Sequence, residues 1–172
     1  MGINYEIERK FLVEFPDVAK LNVKRRIGIV QTYLKRGENG SQRRVRSVEE
    51  NGKVKYTFTE KVFVTPVTRE ENEYEISGEE YRKLISEEFG GCPPVEKVRY
   101  CFEYKDQLFE LDKYPFSDKL AIMELELRSP DQKIDFPDNV NVLKEVSADE
   151  RYSNASLATA GGFPEQKIGE NI

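Results

Sequence analysis

Histidine and tryptophan are absent from this sequence, and cysteine and methionine occur only twice each. Without histidine there can be no Ser-His-Asp triad, no Cys-His pair and no histidine-based zinc site, so any chemistry falls to carboxylates, Lys, Arg, Tyr or a thiol. Cys92 and Cys101 are too few for a disulfide framework and read as quiet thiols of a reducing compartment. No stretch approaches the ~18 uninterrupted apolar residues of a membrane span. The opening Met1-Gly2-Ile3-Asn4-Tyr5-Glu6 lacks the basic and apolar regions of a signal peptide, so a cytoplasmic protein is expected. Charge, by contrast, is abundant: it makes up 34% of 172 residues, with a net value of −5 that weighs against general nucleic-acid binding. Ten Phe and nine Tyr provide bulky material for the core of a single domain.

The charges are ordered by strand parity, because alternate side chains of an extended chain share a face. In Tyr5 to Val13, residues Glu6, Glu8 and Lys10 fall on one face and Tyr5, Ile7, Phe11 and Val13 on the other, with Arg9 the one intruder. Arg44 and Arg46 pair in the same way. Val54 to Lys61 alternates strictly, setting Thr57, Thr59 and Lys61 against Val54, Tyr56 and Phe58. Arg69, Glu71, Glu73 and Glu75 share a parity, as do Lys97 and Arg99, Glu110 and Asp112, and Glu124 and Glu126. Residues 31–35 read as a further strand. Ser77-Gly78-Glu79-Glu80 is a capping box for a helix that carries Tyr81, Leu84, Ile85 and Phe89 and stops at Gly90-Gly91. Short helices are expected over 16–23 and 153–159, a helical turn over 117–120 and a polar loop over 129–141.

Half-solvated sheets ordinarily mix small polar residues with both signs of charge on the wet face. Here like charges stack two residues apart on strand after strand, an arrangement that repels itself unless something binds it. If the sheet closes, the rows converge on one lumen, with Glu6, Glu8, Glu71, Glu73, Glu75, Glu110, Asp112, Glu124 and Glu126 facing Lys10, Arg44, Arg46, Lys61, Arg69, Lys97 and Arg99. Such a lumen suits a divalent cation on hard carboxylate oxygens in one part and phosphates gripped by Arg and Lys in another.

These residues resemble a known family. Glu6-Ile7-Glu8-Arg9-Lys10 is similar to the ExExK signature of the CYTH superfamily, the triphosphate tunnel metalloenzymes. The resemblance continues in order through Gln31-Thr32-Tyr33-Leu34, Arg44-Val45-Arg46, Thr59-Glu60-Lys61, Glu73-Tyr74-Glu75-Ile76, residues 95–100, residues 108–112, Glu124-Leu125-Glu126, Lys144-Glu145-Val146 and residues 151–154, covering roughly residues 4–158. It implies an α+β, mainly β fold: a closed eight-stranded antiparallel barrel with a few peripheral helices, spanning residues 1–160, while residues 161–172, from Gly161-Gly162 on, read as a flexible tail. It also implies metal ligation by Glu6, Glu8, Glu124 and Glu126, with Glu75 and Asp112 contributing to a second metal, and Mg²⁺ or Mn²⁺ as the ion. Lys10, Arg44, Arg46, Lys61, Lys97, Arg99 and Arg151 are implied to bind phosphates, while Arg69 and Glu71 receive no carried-over role.

The implied activity is metal-dependent hydrolysis of a small triphosphate, foremost inorganic triphosphate, with Glu6, Glu8 and Lys10 at the reacting centre. With no histidine, a metal-activated water, a carboxylate or Lys10 remains as the base. The alternatives are a thiamine triphosphatase, an adenylate cyclase of the class IV type, or a polyphosphate- or nucleotide-binding module without turnover. The cyclases carry a His-Phe element upstream of ExExK that this chain lacks. The expected partners are the triphosphate and, at most, a second copy of the chain, with neither nucleic acid nor membrane among them.

Overall fold

Residues 4–166 are described by a computed structural model. Nine strands and two α-helices follow one another in the order β1 (Asn4–Glu14), β2 (Val23–Tyr33), β3 (Gln42–Glu50), β4 (Lys53–Phe63), β5 (Thr68–Ile76), α1 (Gly78–Glu88), β6 (Val95–Tyr104), β7 (Gln107–Lys113), β8 (Leu120–Glu126), β9 (Val142–Glu145) and α2 (Asn154–Ala160). The strands run β5-β4-β3-β2-β6-β7-β8-β1, all antiparallel, and β1 returns to pair with β5, which closes an eight-stranded barrel. The expected fold class is therefore borne out. The closing strand is shared, since residues 4–7 of β1 pair with β5 while residues 11–13 pair with β9, which continues the edge that β5 leaves open.

Turn chemistry sets the hairpin registers. Asn51 and Gly52 both have positive φ, at 53° and 79°, the geometry of a two-residue primed turn that matches the right-handed twist of β3 and β4. Ser77 caps α1 by accepting from the Glu80 amide, as the capping box predicts. Past the helix, Gly90 donates to the Tyr33 carbonyl, and a Cβ there would stand 2.8 Å from the Leu34 carbonyl oxygen, so no larger residue fits without a shift.

The apolar faces of the strands point out of the barrel. On one side Val45, Phe58 and Ile76 pack with Leu34 under α1, where Tyr81, Leu84 and Ile85 cover them and Tyr81 lies 4.7 Å from Tyr56. On the other side Phe11, Val13, Phe102, Phe109, Leu111, Met123 and Leu125 are covered by Phe15, Val18 and Leu21 of the β1–β2 connection and by Ile134, Phe136 and Val140 of the loop before β9. A third cluster lies on lumen-facing positions: Leu12, Tyr33, Val95, Tyr114 and Ile122 meet Val146, Tyr152 and Leu157 and stopper the end of the barrel where β1 and β2 finish. Apolar burial thus surrounds the charged lumen from outside and closes it from below.

Several local readings change. The helix expected over 16–23 is only a single 3-10 turn, Val18–Lys20, because β2 begins at Val23 and is eleven residues long. The turn expected over 117–120 is not helical, and Leu120 already belongs to β8. Strand β9 carries no period-two pattern that a four-residue segment could reveal. Of the expected tail, residues 161–166 are described and Phe163 packs edge-on against Tyr114 and Phe116 at 5.7 and 5.1 Å, while 167–172 lie outside the described residues. Among the described residues no helix is long and apolar enough to cross a membrane.

The stopper generates a stability prediction. Ile122→Ala, at a fully buried position, should lower the unfolding free energy by about 2–5 kcal/mol in a urea titration. Leu108→Ala, at a position 48% exposed, should move the midpoint little, and equal effects at the two sites would contradict the packing described.

Candidate active site

A cavity of about 740 Å³ occupies the barrel, and its wall is made of the rows that parity predicts. Glu6, Glu8 and Lys10 come from β1, Arg44 and Arg46 from β3, Lys61 from β4, Arg69, Glu71 and Glu73 from β5, Lys97 and Arg99 from β6, Glu110 from β7 and Glu124 from β8. The turn Phe63–Pro66 and the segment around Ser147–Ser156 complete it at one end. Arg43, one residue off the lumen parity, instead lies outside, pairing with Glu88 of α1 at 2.7 Å and resting on the Phe58 ring.

The lumen neutralises itself pair by pair. Asp112 is fully buried and accepts from Lys97 Nζ at 2.7 Å, Arg99 Nε at 2.7 Å and Arg99 Nη2 at 2.9 Å. The same Arg99 donates to Glu110 at 3.0 Å and lies 3.8 Å from Glu124, whose other oxygen is 3.7 Å from Lys10 Nζ. Lys61 holds Glu6 at 3.3 Å and Glu71 at 3.6 Å, and Arg69 pairs with Glu8. Arg46 donates to Gln31 at 2.9 Å, Gln31 to the Tyr33 hydroxyl, and Thr59 to Glu73. Buried charges survive only in this company, since an isolated one costs several kcal/mol.

The balance is uneven in a revealing way. Burial lowers Lys61 to about 7, with Arg44 adding to the shift and Glu6 opposing it. Burial lowers Lys97 to about 8 against the pull of Asp112, and burial with Arg44 and Arg99 lowers Arg46. Arg46, Lys61 and Lys97 thus carry the cost of burial even where an acid stands beside them, Glu6 beside Lys61 and Asp112 beside Lys97. Glu126 is raised by partial burial and by the nearby Glu6, and Glu110 is raised by burial despite Arg99. Asp112 and Glu124 are held below their ordinary values, burial being outweighed at Asp112 by Arg99 and Lys97 and at Glu124 by Lys10 and Arg99.

Some buried polar atoms of the wall make no hydrogen bond: Arg44 Nε, Arg69 Nε and Glu6 Oε2, the last with Lys61 Nζ at 3.3 Å and Arg69 Nε at 3.7 Å. Among the described residues no three acids stand together as a ready-made metal cluster, because lysine and arginine side chains lie between them. The donor chemistry nevertheless fits a hard divalent cation: carboxylate oxygens only, from Glu6 and Glu8 on β1 and from Glu124 and Glu126 on the adjoining β8, where Glu8 stands directly opposite Glu126.

Not every residue expected at the site reaches it. Glu126 is exposed, beside Glu8 at the rim. Glu75 is exposed at the far end of β5, past the stretch that β1 covers, and does not line the cavity. Asp112 lies behind the wall with both oxygens engaged by Lys97 and Arg99. Arg151 is held at 2.7 Å by Asp149, the cap of its own 3-10 turn, and does not line the cavity either. Conversely, Gln31 accepts from Arg46 and donates to the Tyr33 hydroxyl, from a strand to which the sequence reading assigns no face. Ser147, the Phe63–Pro66 turn and Asn154 at the start of α2 line the cavity from places that no strand period reports.

Comparison with known proteins places this architecture. The CYTH domain model matches residues 4–156. The chain is similar to an inorganic triphosphatase of Acetivibrio thermocellus, 32% identical over 156 residues that cover 88% of this chain and 92% of the relative. It is also similar to the crystal structure of an inorganic triphosphatase at 31% identity and TM-score 0.55, covering 90% of this chain and 94% of that one. A Pyrococcus horikoshii OT3 protein shares the fold at 20% identity and TM-score 0.57, over 73% of this chain and 80% of its own.

The buried Lys97–Asp112–Arg99 triad generates its own prediction. Asp112→Asn leaves two buried cations short of their counter-charge and should cost about 3–5 kcal/mol of stability by chemical denaturation, and an unchanged midpoint would show that the triad is not structural. By sequence, site and architecture together, the chain belongs to the CYTH domain family.

Proposed function

We propose that this protein is a metal-dependent triphosphatase whose substrate is inorganic triphosphate and whose ion is Mg²⁺ or Mn²⁺. The observation that carries the reading is the division of one cavity into a cation-rich wall, with Arg44, Arg46, Lys61, Lys97 and Arg99, and a carboxylate wall, with Glu6, Glu8 and Glu124. The named activity of the two relatives above 30% identity supports it.

In the reaction, water adds to the terminal phosphorus, the bridging P–O bond breaks, and phosphate and pyrophosphate leave. The chain's contribution is positioning and electrostatics. Arg44, whose Nε is buried without an acceptor, and Arg46, fixed by Gln31, present donors to the phosphate oxygens. Lys61 and Lys97 add buried positive charge, which a polyanion relieves of its mutual repulsion. Lys10 Nζ, beside Glu124 at 3.7 Å, is a donor between the two walls. Glu6, Glu8, Glu124 and Glu126 would hold the divalent cation, which supplies charge neutralisation on the phosphates and makes a nearby water more acidic. An apolar stopper of Leu12, Tyr114 and Ile122 under the cavity keeps bulk water from entering through that end.

Phosphate release from inorganic triphosphate, thiamine triphosphate and ATP, measured with Mg²⁺ or Mn²⁺ alongside cyclic AMP, tests the reading. Inorganic triphosphate should be turned over fastest, EDTA should stop the reaction, and no turnover of any triphosphate would sink the proposal. Glu6→Gln should abolish turnover while leaving the circular dichroism spectrum unchanged, and a near-normal rate would remove this carboxylate from the metal site. Arg46→Ala should chiefly raise KM, whereas Arg43→Ala, on the outer face, should leave it unchanged; equal effects would contradict the register of β3.

A further inference from the structure

Arg69 stands opposite Glu6 in the β1–β5 register. Its guanidinium is paired with Glu8 and lies 3.7 Å from Glu6 Oε2, while its Nε is buried without an acceptor. The Phe63 ring backs it at 5.4 Å. Of the carboxylates assigned above to the cation, Glu8 is thus occupied by Arg69, and Glu6 is shared between Arg69 and Lys61, whose Nζ stands at 3.3 Å. The need for some positive charge there is plain from the sheet, because Glu8 faces Glu126 directly across β1 and β8, an opposition of like charges that is unfavourable when uncompensated.

Arg69 meets that need imperfectly. Its own Nε makes no hydrogen bond in a buried setting, and Glu6 Oε2 accepts none either from it or from Lys61, so the carboxylate end of this contact is one that a better-matched cation improves. A divalent ion on Glu8 and Glu6 competes for the same oxygens, so its entry must expel the guanidinium. Arg69, whose side chain is 12% exposed where it stands, would then have lost its partner, which opposes metal binding. Arg69 also lines the cavity that holds Arg44 and Lys61, so an anion lodged there can receive it.

We propose that Arg69 is an internal counter-ion that keeps metal binding weak until triphosphate enters the cavity, and so couples the two ligands. The inference rests on the metal and phosphate roles proposed above. Linkage makes the coupling reciprocal: whatever factor the triphosphate adds to metal affinity, the metal adds to triphosphate affinity. Arg69 acts here as a positioning residue, through the carboxylates and not by bonding to the reacting phosphorus.

The test is Mn²⁺ binding, followed by the paramagnetic resonance signal of free Mn²⁺, with and without the non-hydrolysable imidotriphosphate and corrected for Mn²⁺ held by the analogue alone. In wild-type protein the analogue should tighten Mn²⁺ binding by roughly tenfold or more. Arg69→Gln should bind Mn²⁺ alone about tenfold more tightly than wild type and lose most of the coupling. Arg69→Lys, which restores the charge, should return toward wild-type behaviour. Arg69→Met replaces the Gln variant if circular dichroism shows the latter unfolded. Mn²⁺ affinity unchanged by the analogue in wild type, or no tighter in the charge-removing variant, would overturn the counter-ion role while metal-dependent phosphate release left the triphosphatase reading intact. No Mn²⁺ binding under any condition, together with no turnover, would overturn both.

Discussion

The structure depends on one constraint: charges taken into the barrel must find opposite charges there. Asp112, without exposure, meets Lys97 and Arg99 within hydrogen-bond distance, and Arg99 reaches on to Glu110 and Glu124. Each acid depends on a base from a neighbouring strand, so the strand order and register that bring β6 beside β7 and β7 beside β8 are also the conditions for burying the charge. A slip of one residue would turn the charged rows out and the apolar rows in. The register is therefore fixed twice, by electrostatics within and by packing without.

The packing is inverted relative to a filled barrel. Side chains of small closed barrels ordinarily fill the interior, but here the apolar faces look outward and are covered by α1 on one side and by the 15–21 and 134–140 segments on the other. The lumen is thereby left free for polar work, and only its lower end, at Leu12, Tyr33, Tyr114 and Ile122, is filled with apolar side chains. Sheet closure and outer cover supply the stability that the lumen cannot, because ion pairs removed from water do little better than break even.

Most of this was legible in the sequence because period two is a strong signal where charge marks one face. Glu6, Glu8, Lys10, Arg44, Arg46, Lys61, Lys97, Arg99, Glu110 and Glu124 all reach the cavity that their parity implies. Where the signal failed, the reason is local. Glu75 has lumen parity but lies beyond the overlap of β1 with β5, and parity says nothing of how far a closing strand extends. Asp112 has lumen parity as well, yet the reach of Lys97 and Arg99 takes it out of the cavity wall. Arg151 sits in a 3-10 turn, where the cap residue Asp149 competes for it. Arg69 kept lumen parity, but only the closing register shows that it faces Glu6 and reaches Glu8.

The central claim is that one lumen holds a triphosphate on its basic wall and a divalent cation on its acidic wall. A crystal structure of the protein with Mn²⁺ and imidotriphosphate tests it most directly. The account predicts an anomalous Mn²⁺ peak among Glu6, Glu8, Glu124 and Glu126 and phosphate oxygens on Arg44, Arg46 and Lys61. A metal peak or a triphosphate bound outside the barrel, with the lumen pairs unchanged, would contradict it.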